Sequence, residues 1–227
     1  MKKAVKSIGV LLACCFVITS AGQKTIDTIA TKVDGYDIPI RIKLPKNTNG
    51  KNPVYFFVHG GGWNGGDSKN VPPARLHNDA NYLADQLEVI YVGLAYRCKG
   101  NNATFSDAIE DLEASVQWFF DNAENYNADI TRIGFGGASA GSTLAAIMAQ
   151  KYTNCKLLVG AEGMYNLVEH SEERSLFPNQ KARIAFGLAT ENESKKASAY
   201  YNLSENPPNT LLLHGDADVL CHYTQSI

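Results

Sequence analysis

An α/β protein with a mostly parallel sheet and helices on both faces is what this sequence predicts, on three observations. Strand-like and helix-like patterns alternate along the chain, several of the strand runs are continuously apolar, and the residues able to do chemistry come directly after those runs. The 227 residues suffice for one domain with its own core, or at most two small ones. A mixture of 44% hydrophobic and 19% charged residues excludes collagen-like, low-complexity and wholly disordered chains. The formal charge of −2 leaves no basic surface for nucleic acid.

Residues 1–22 read as a secretory leader. Lys2, Lys3 and Lys6 form its positive start, Ile8 to Ile18 its apolar run, and Thr19 to Gly22 the small residues of a cleavage site. The run is shorter than the ~20 residues that span a bilayer, so no transmembrane segment is expected. Removing those three lysines takes the formal charge from −2 to about −5. Export to the periplasm or medium is the expected fate. Leu11 to Cys14 offers a lipoprotein alternative, with the lipid on Cys14. Cys98, Cys155 and Cys221 remain, an odd number without metal-binding spacing. One disulfide is possible in an exported protein, and separate small thiols are the plainer reading.

No repeat, charge run or proline-rich linker divides residues 23–227, which therefore count as one domain. Thr25 to Asp34 and Tyr36 to Leu44 read as strands of a hairpin turning at Asp34 and Gly35. Pro53 to Val58 and Val89 to Tyr96 are apolar enough for strands covered on both faces, with a helix expected between them over Arg75 to Leu87. Ser106 is a candidate cap for a helix whose Ile109, Leu112, Val116 and Phe119 share one face. Arg132 to Gly136 is a short strand, Ala140 to Tyr152 a helix of small residues, and Leu157 to Ala161 and Thr210 to Leu213 two further strands.

Three motifs follow strand ends. His59-Gly60-Gly61-Gly62-Trp63 brings three residues without Cβ atoms, whose backbone can approach a ligand and point amides at a developing negative oxygen. Gly137-Ala138-Ser139-Ala140-Gly141 lies between strand and helix, a G-x-S-x-G turn that holds a serine in a strained, exposed conformation. The Ala140 amide, at a helix start, is the expected second oxyanion donor. His214-Gly215-Asp216-Ala217-Asp218 supplies a carboxylate that could orient a histidine; Asp218 is the first choice, with Asp216 and Glu162 as rivals. A glycine turn, a helix-capping serine and a loop acid bound to nearby amides are the plainer readings of each motif alone.

Together the motifs resemble the α/β-hydrolase fold, and within it the hormone-sensitive-lipase-like and BD-FAE-like esterases, which include bacterial acetyl and feruloyl esterases. Gly66 and Asp67 after Trp63, the Asp129 to Ile133 lead-in to the serine turn, and Pro208 to Asp218 add to the likeness. The resemblance implies Ser139 as nucleophile, Asp218 as acid, and Gly61, Gly62 and Ala140 as oxyanion donors. It implies no metal or organic cofactor, and a small-molecule or polysaccharide-linked ester as substrate. Such enzymes place the catalytic histidine in a loop after one further strand. Here the chain ends nine positions past Asp218, so the last strand and helix, and the histidine with them, are expected to be missing.

The five histidines present offer a poor substitute. His59 belongs to the glycine loop and His214 to a strand end, both structural positions, and His77 and His170 have no motif around them. His222, four positions after Asp218, is the weak local candidate for the base. Two other readings stay open. One is a hydrolase-fold protein without the base, serving as a binding module; the other is an amidase or peptidase, which the same triad would serve.

Overall fold

The hairpin expected at Asp34 and Gly35 forms, with both residues at positive φ (49° and 84°), the geometry that matches strand twist in a tight turn. It joins β2 (Gln23–Val33) to β3 (Tyr36–Leu44) in the computed structural model, which describes residues 17–20, 23–46, 50–66, 77–168 and 186–227. Val17–Ser20, which falls within the sequence expected to be a leader, forms a short strand, β1, antiparallel to the start of β2. The remaining strands are β4 (Asn52–Val58), β5 (Ile90–Leu94), β6 (Ala128–Ala138), β7 (Cys155–Ala161) and β8 (Asn209–Leu213). Among the described residues they make one sheet in the order β1-β2-β3-β5-β4-β6-β7-β8. The β1–β2, β2–β3 and β3–β5 pairs are antiparallel, and all pairs from β5 through β4, β6 and β7 to β8 are parallel.

Strand alternation assigns the two faces. Val54, Phe56 and Val58 of β4 and Ile90, Val92 and Leu94 of β5 point into the main core, under α2 (Phe105–Asp121) and α3 (Ala140–Lys151). Phe57 and Tyr91 point the other way, against Ala80 of α1 (His77–Gln86). Helices therefore cover both faces, as the continuously apolar strands require. Phe56 lies at the centre, edge-on to Phe119 at 5.5 Å and stacked on Phe135 at 5.3 Å. Burying one such ring stabilises the fold by about 1.5–3 kcal/mol. Beyond α1 the second face is more open, and a groove of about 460 Å³ lined by Tyr55, Phe57, Leu157 and Val159 runs along it.

The structure corrects one expected cap. Helix α2 starts at Phe105, and its N-cap is Thr104, not Ser106. Thr104 has an acid three residues on: its hydroxyl accepts from the Asp107 amide at 3.3 Å, and Asp107 accepts from the Thr104 amide at 2.7 Å. Ser106 has Ile109 in that position and can make no such reciprocal pair. The four apolar residues at helical spacing, Ile109, Leu112, Val116 and Phe119, are all buried. Cys98, Cys155 and Cys221 are buried free thiols, as the plainer reading expected.

Arg97 ties three elements together. Its guanidinium donates to Asp111 of α2 at 2.9 Å and to Asp34 of the hairpin turn at 2.9 Å, and the Arg97 amide reaches Asp111 at 2.8 Å. Arg97 and Asp111 are both buried, so either left alone would be an uncompensated charge.

The lead-in to the serine turn is held by Asp129. Its carboxylate accepts from the Thr131 hydroxyl at 2.6 Å and from Arg132 at 2.6 Å, and these bonds, Thr131 first, hold its carboxyl at about 2. A depressed folded-state value contributes stability above the unfolded carboxylate range, near ~3.9, that is lost as pH falls through the folded value. Asp129→Asn is therefore expected to lower the urea midpoint at pH 7, and the gap from the parent should close between about pH 4 and 2. A gap that persists at the acid end would assign the effect to something other than this charge.

Candidate active site

The carboxyl ends of β4, β6, β7 and β8 bring the three motifs together. Ser139 stands between β6 and α3 with φ 54° and ψ −126°, a conformation that a non-glycine residue keeps only when its surroundings enforce it. The enforcement is visible. The Ser139 amide donates to Ala161 at the end of β7 at 2.8 Å, and its carbonyl accepts from Ser142 at 2.9 Å. Two flanking glycines leave room for the bend. A Cβ at Gly137 would sit 2.7 Å from the Ser142 nitrogen and overlap Gly141, and a Cβ at Gly141 would sit 2.6 Å from the His59 carbonyl carbon. Among the described residues the Ser139 hydroxyl has no hydrogen-bond partner.

The glycine loop lies directly against this turn. A Cβ at Gly60 would be 3.3 Å from that of Ser139 and 2.7 Å from the Ala138 carbonyl oxygen. Gly61 and Gly62 then take φ 126° and 59°, and Trp63 follows at 59°. The turn closes with Asn64 donating to Gly61 at 3.0 Å, and Lys99 donating to Trp63 at 2.8 Å pins it to the loop after β5. The Trp63 indole stacks on Phe186 at 5.5 Å. The amides of Gly61, Gly62 and Ala140 have no protein acceptor among the described residues.

His59 fills the structural position the sequence suggested. It is buried, stacked on Tyr96 at 4.4 Å, with Nδ1 2.7 Å from the Gly60 carbonyl oxygen. The Tyr96 hydroxyl donates to the His59 carbonyl at 3.1 Å, so ring and backbone are both fixed.

Asp218 sits in the turn after β8. One oxygen accepts from the amides of Leu220 at 2.7 Å and Cys221 at 3.0 Å, and the other lies 3.3 Å from His214 Nε2. The amide-bound loop acid is thus present in the geometry, with one oxygen edge still able to face an imidazole. His214 Nε2 also lies 2.8 Å from the Cys221 carbonyl; facing two acceptors, it carries a proton, and Nδ1 meets the Ser226 hydroxyl at 2.8 Å. His214 props the turn. Asp216 is exposed in the same turn. His222 pairs with the Thr224 hydroxyl at 2.7 Å and leans on Tyr223, and no bond joins it to Asp218 or Ser139. The side chain of His77 and all of His170 lie outside the described residues.

Other supports carried no sequence signal. Ser142 and Tyr165 bond hydroxyl to hydroxyl at 2.8 Å under the serine turn, and burial pushes the Tyr165 phenol up to about 12. The Gln225 side-chain oxygen accepts the amides of Tyr165 and Asn166 at 3.0 and 2.9 Å, fastening the loop after β7 to the turn beyond Asp218.

Known proteins share this fold. Thermogutta terrifontis esterase 2 superposes with a TM-score of 0.72 at 20% identity, over 88% of this chain and 75% of that one. A bifunctional GH43-CE protein of Bacteroides eggerthii gives 0.74 at 17% identity, over 88% of this chain and 32% of that one. At these identities the likeness establishes the α/β-hydrolase fold. Carboxylesterase NlhH of Mycobacterium tuberculosis is 35% identical over 115 residues, 50% of this chain and 34% of that protein. Bovine arylacetamide deacetylase is 35% identical over 118 residues, 51% of this chain and 29% of that protein. The chain thus matches about a third of the length of these curated relatives. The family model BD-FAE matches residues 40–227, which takes in the glycine loop, the serine turn and the Asp218 turn, and the chain belongs to that family.

Proposed function

We propose that the protein is a serine hydrolase of carboxylic esters. The reading rests most heavily on the strained Ser139 with its hydroxyl unengaged, pressed against a loop whose glycine amides are free. Ser139 Oγ attacks the ester carbonyl carbon as its proton passes to an imidazole, and the amides of Gly61, Gly62 and Ala140 receive the carbonyl oxygen as it becomes negative. The alcohol leaves with that proton, and water then attacks the acyl-enzyme to free the acid and regenerate Ser139. Asp218 orients the imidazole through its remaining oxygen. His59, His214 and His222 are engaged elsewhere, so the base is a histidine outside the described residues. Acetyl or feruloyl esters on polysaccharide are the substrates the family resemblance favours, and the 1–22 segment supports export.

A second reading, a binding protein without turnover, draws on those three engaged histidines. Treatment with a fluorophosphonate followed by peptide mass analysis separates the two, because only an activated serine is phosphonylated. Labelling at Ser139, with hydrolysis of phenyl acetate lost in step, is expected; an unlabelled Ser139 would sink the esterase reading.

A further inference from the structure

The residue after β7 is a second strained position at this edge of the sheet. Glu162 has φ 54°, and hydrogen bonds at both ends of the peptide that precedes it hold it there. Its amide donates to Leu213 of β8 at 2.8 Å, and the preceding carbonyl, of Ala161, accepts the Ser139 amide at 2.8 Å. A single peptide therefore separates Glu162 from the hydrogen bond that fixes the nucleophile turn. Its side chain is exposed and has no hydrogen-bond or ion-pair partner among the described residues. Its charge reaches inward toward Cys221, whose thiol burial chiefly, then Asp218 and Glu162, push up to about 12. Glu162 thus lies close to the turn that carries Asp218.

Among the described residues no lysine or arginine pairs with it. Arg97, beyond β5, is committed to Asp111 and Asp34, with Asp107 at 3.7 Å. The loops after β6, β7 and β8 bring Glu162, Asp216 and Asp218 and no lysine or arginine among their described residues. Nor does Glu162 suit the role of triad acid. That acid is normally shielded and hydrogen-bonded; Asp218 is half-buried with two amides upon it, whereas Glu162 stands in solvent with no donor upon it among the described residues.

We propose that Glu162 is a specificity-determining residue of the ester-hydrolase site: its carboxylate, carried on backbone held one peptide from the Ser139 turn, favours esters that carry a positive charge, of the alkylammonium class, on the part bound beside the nucleophile. The proposal rests on the reading of Ser139 as nucleophile, and its test is built to separate the two.

Choline and its neutral isostere 3,3-dimethylbutan-1-ol are titrated against the protein, following backbone amide shifts around Glu162 and Gly163. Their acetate esters are compared by kcat/KM. Choline is expected to bind about 1.5-fold to fivefold tighter than the isostere, the range for one solvent-exposed charge pair, and the esters to differ in the same direction. Raising the ionic strength to about 1 M should shrink the difference. Glu162→Gln should abolish it while the neutral ester is turned over within about twofold of the parent rate. Glu162→Gly, which removes the charge and relieves the positive φ, folds at least as well and should lose the preference too. A preference that survives both substitutions overturns the proposal. Loss of neutral-ester turnover in Glu162→Gln overturns it as well, by placing the carboxylate in the hydrolytic machinery. Charge-dependent binding that Glu162→Gln removes supports it even if neither ester is cleaved, an outcome that would fell the esterase reading alone.

Discussion

Replacing Ser139 with alanine is expected to lower ester turnover by at least about 10⁴-fold and to leave the melting temperature nearly unchanged. Removing Oγ deletes the acyl-enzyme route, and what remains is the contribution of the oxyanion amides and binding. Stability should hold because the hydroxyl has no partner among the described residues to lose, and alanine meets the same backbone strain as serine at φ 54° and ψ −126°. Ser139→Gly adds a second readout. It should be equally inactive yet more stable than the parent by about 1 kcal/mol, since glycine accepts this conformation at little cost. A serine kept for the fold would give the opposite pair of results. Phenyl acetate turnover and thermal melts on both variants decide between them, and more than a tenth of parental turnover in Ser139→Ala would put the nucleophile elsewhere.

The parts of this molecule legible in the sequence are those set by local pattern. Pro53 to Val58 shows its strand because every residue is apolar or aromatic, and Asp34 and Gly35 show their turn because few other residues accept positive φ. The G-x-S-x-G spacing shows the bend because two missing side chains are what it needs. The cap at Thr104 also has a local signature, the acid three residues on, which Ser106 lacks. What stayed hidden depends on contacts between distant segments. Nothing near Arg97 says that Asp34 will meet it from the hairpin, and nothing near Gln225 says that it will fasten the loop at Tyr165. Glu162 could be named as a strand-end acid, but its strain comes from Leu213 on the next strand and leaves no mark in its own neighbourhood. Asp218 is legible as a carboxylate just past β8, while the two amides that bond one of its oxygens belong to the backbone of residues 220 and 221.

Gly141→Ala is expected to destabilise the protein by at least about 4 kcal/mol, or to prevent folding. Its Cβ would overlap the carbonyl oxygens of Val58 and His59 and sit 2.6 Å from the His59 carbonyl carbon, and all of these are backbone atoms that no rotamer change can move aside. Relief requires the first turn of α3 to lift off the end of β4. That same contact presses the glycine loop against the nucleophile turn, because Gly60 follows His59 and approaches Ser139 directly. Any Gly141→Ala protein that does fold should therefore have lost activity as well as stability, its oxyanion amides displaced from the serine. Gly215→Ala supplies the control, for a Cβ there has open space around it and φ is outside the left-handed region, so a change within about 0.5 kcal/mol is expected. Urea denaturation of the two variants makes the comparison. Equal stabilities would mean that α3 is not seated on β4 in this way, and the close approach of glycine loop and Ser139, on which the proposed chemistry depends, would go with it.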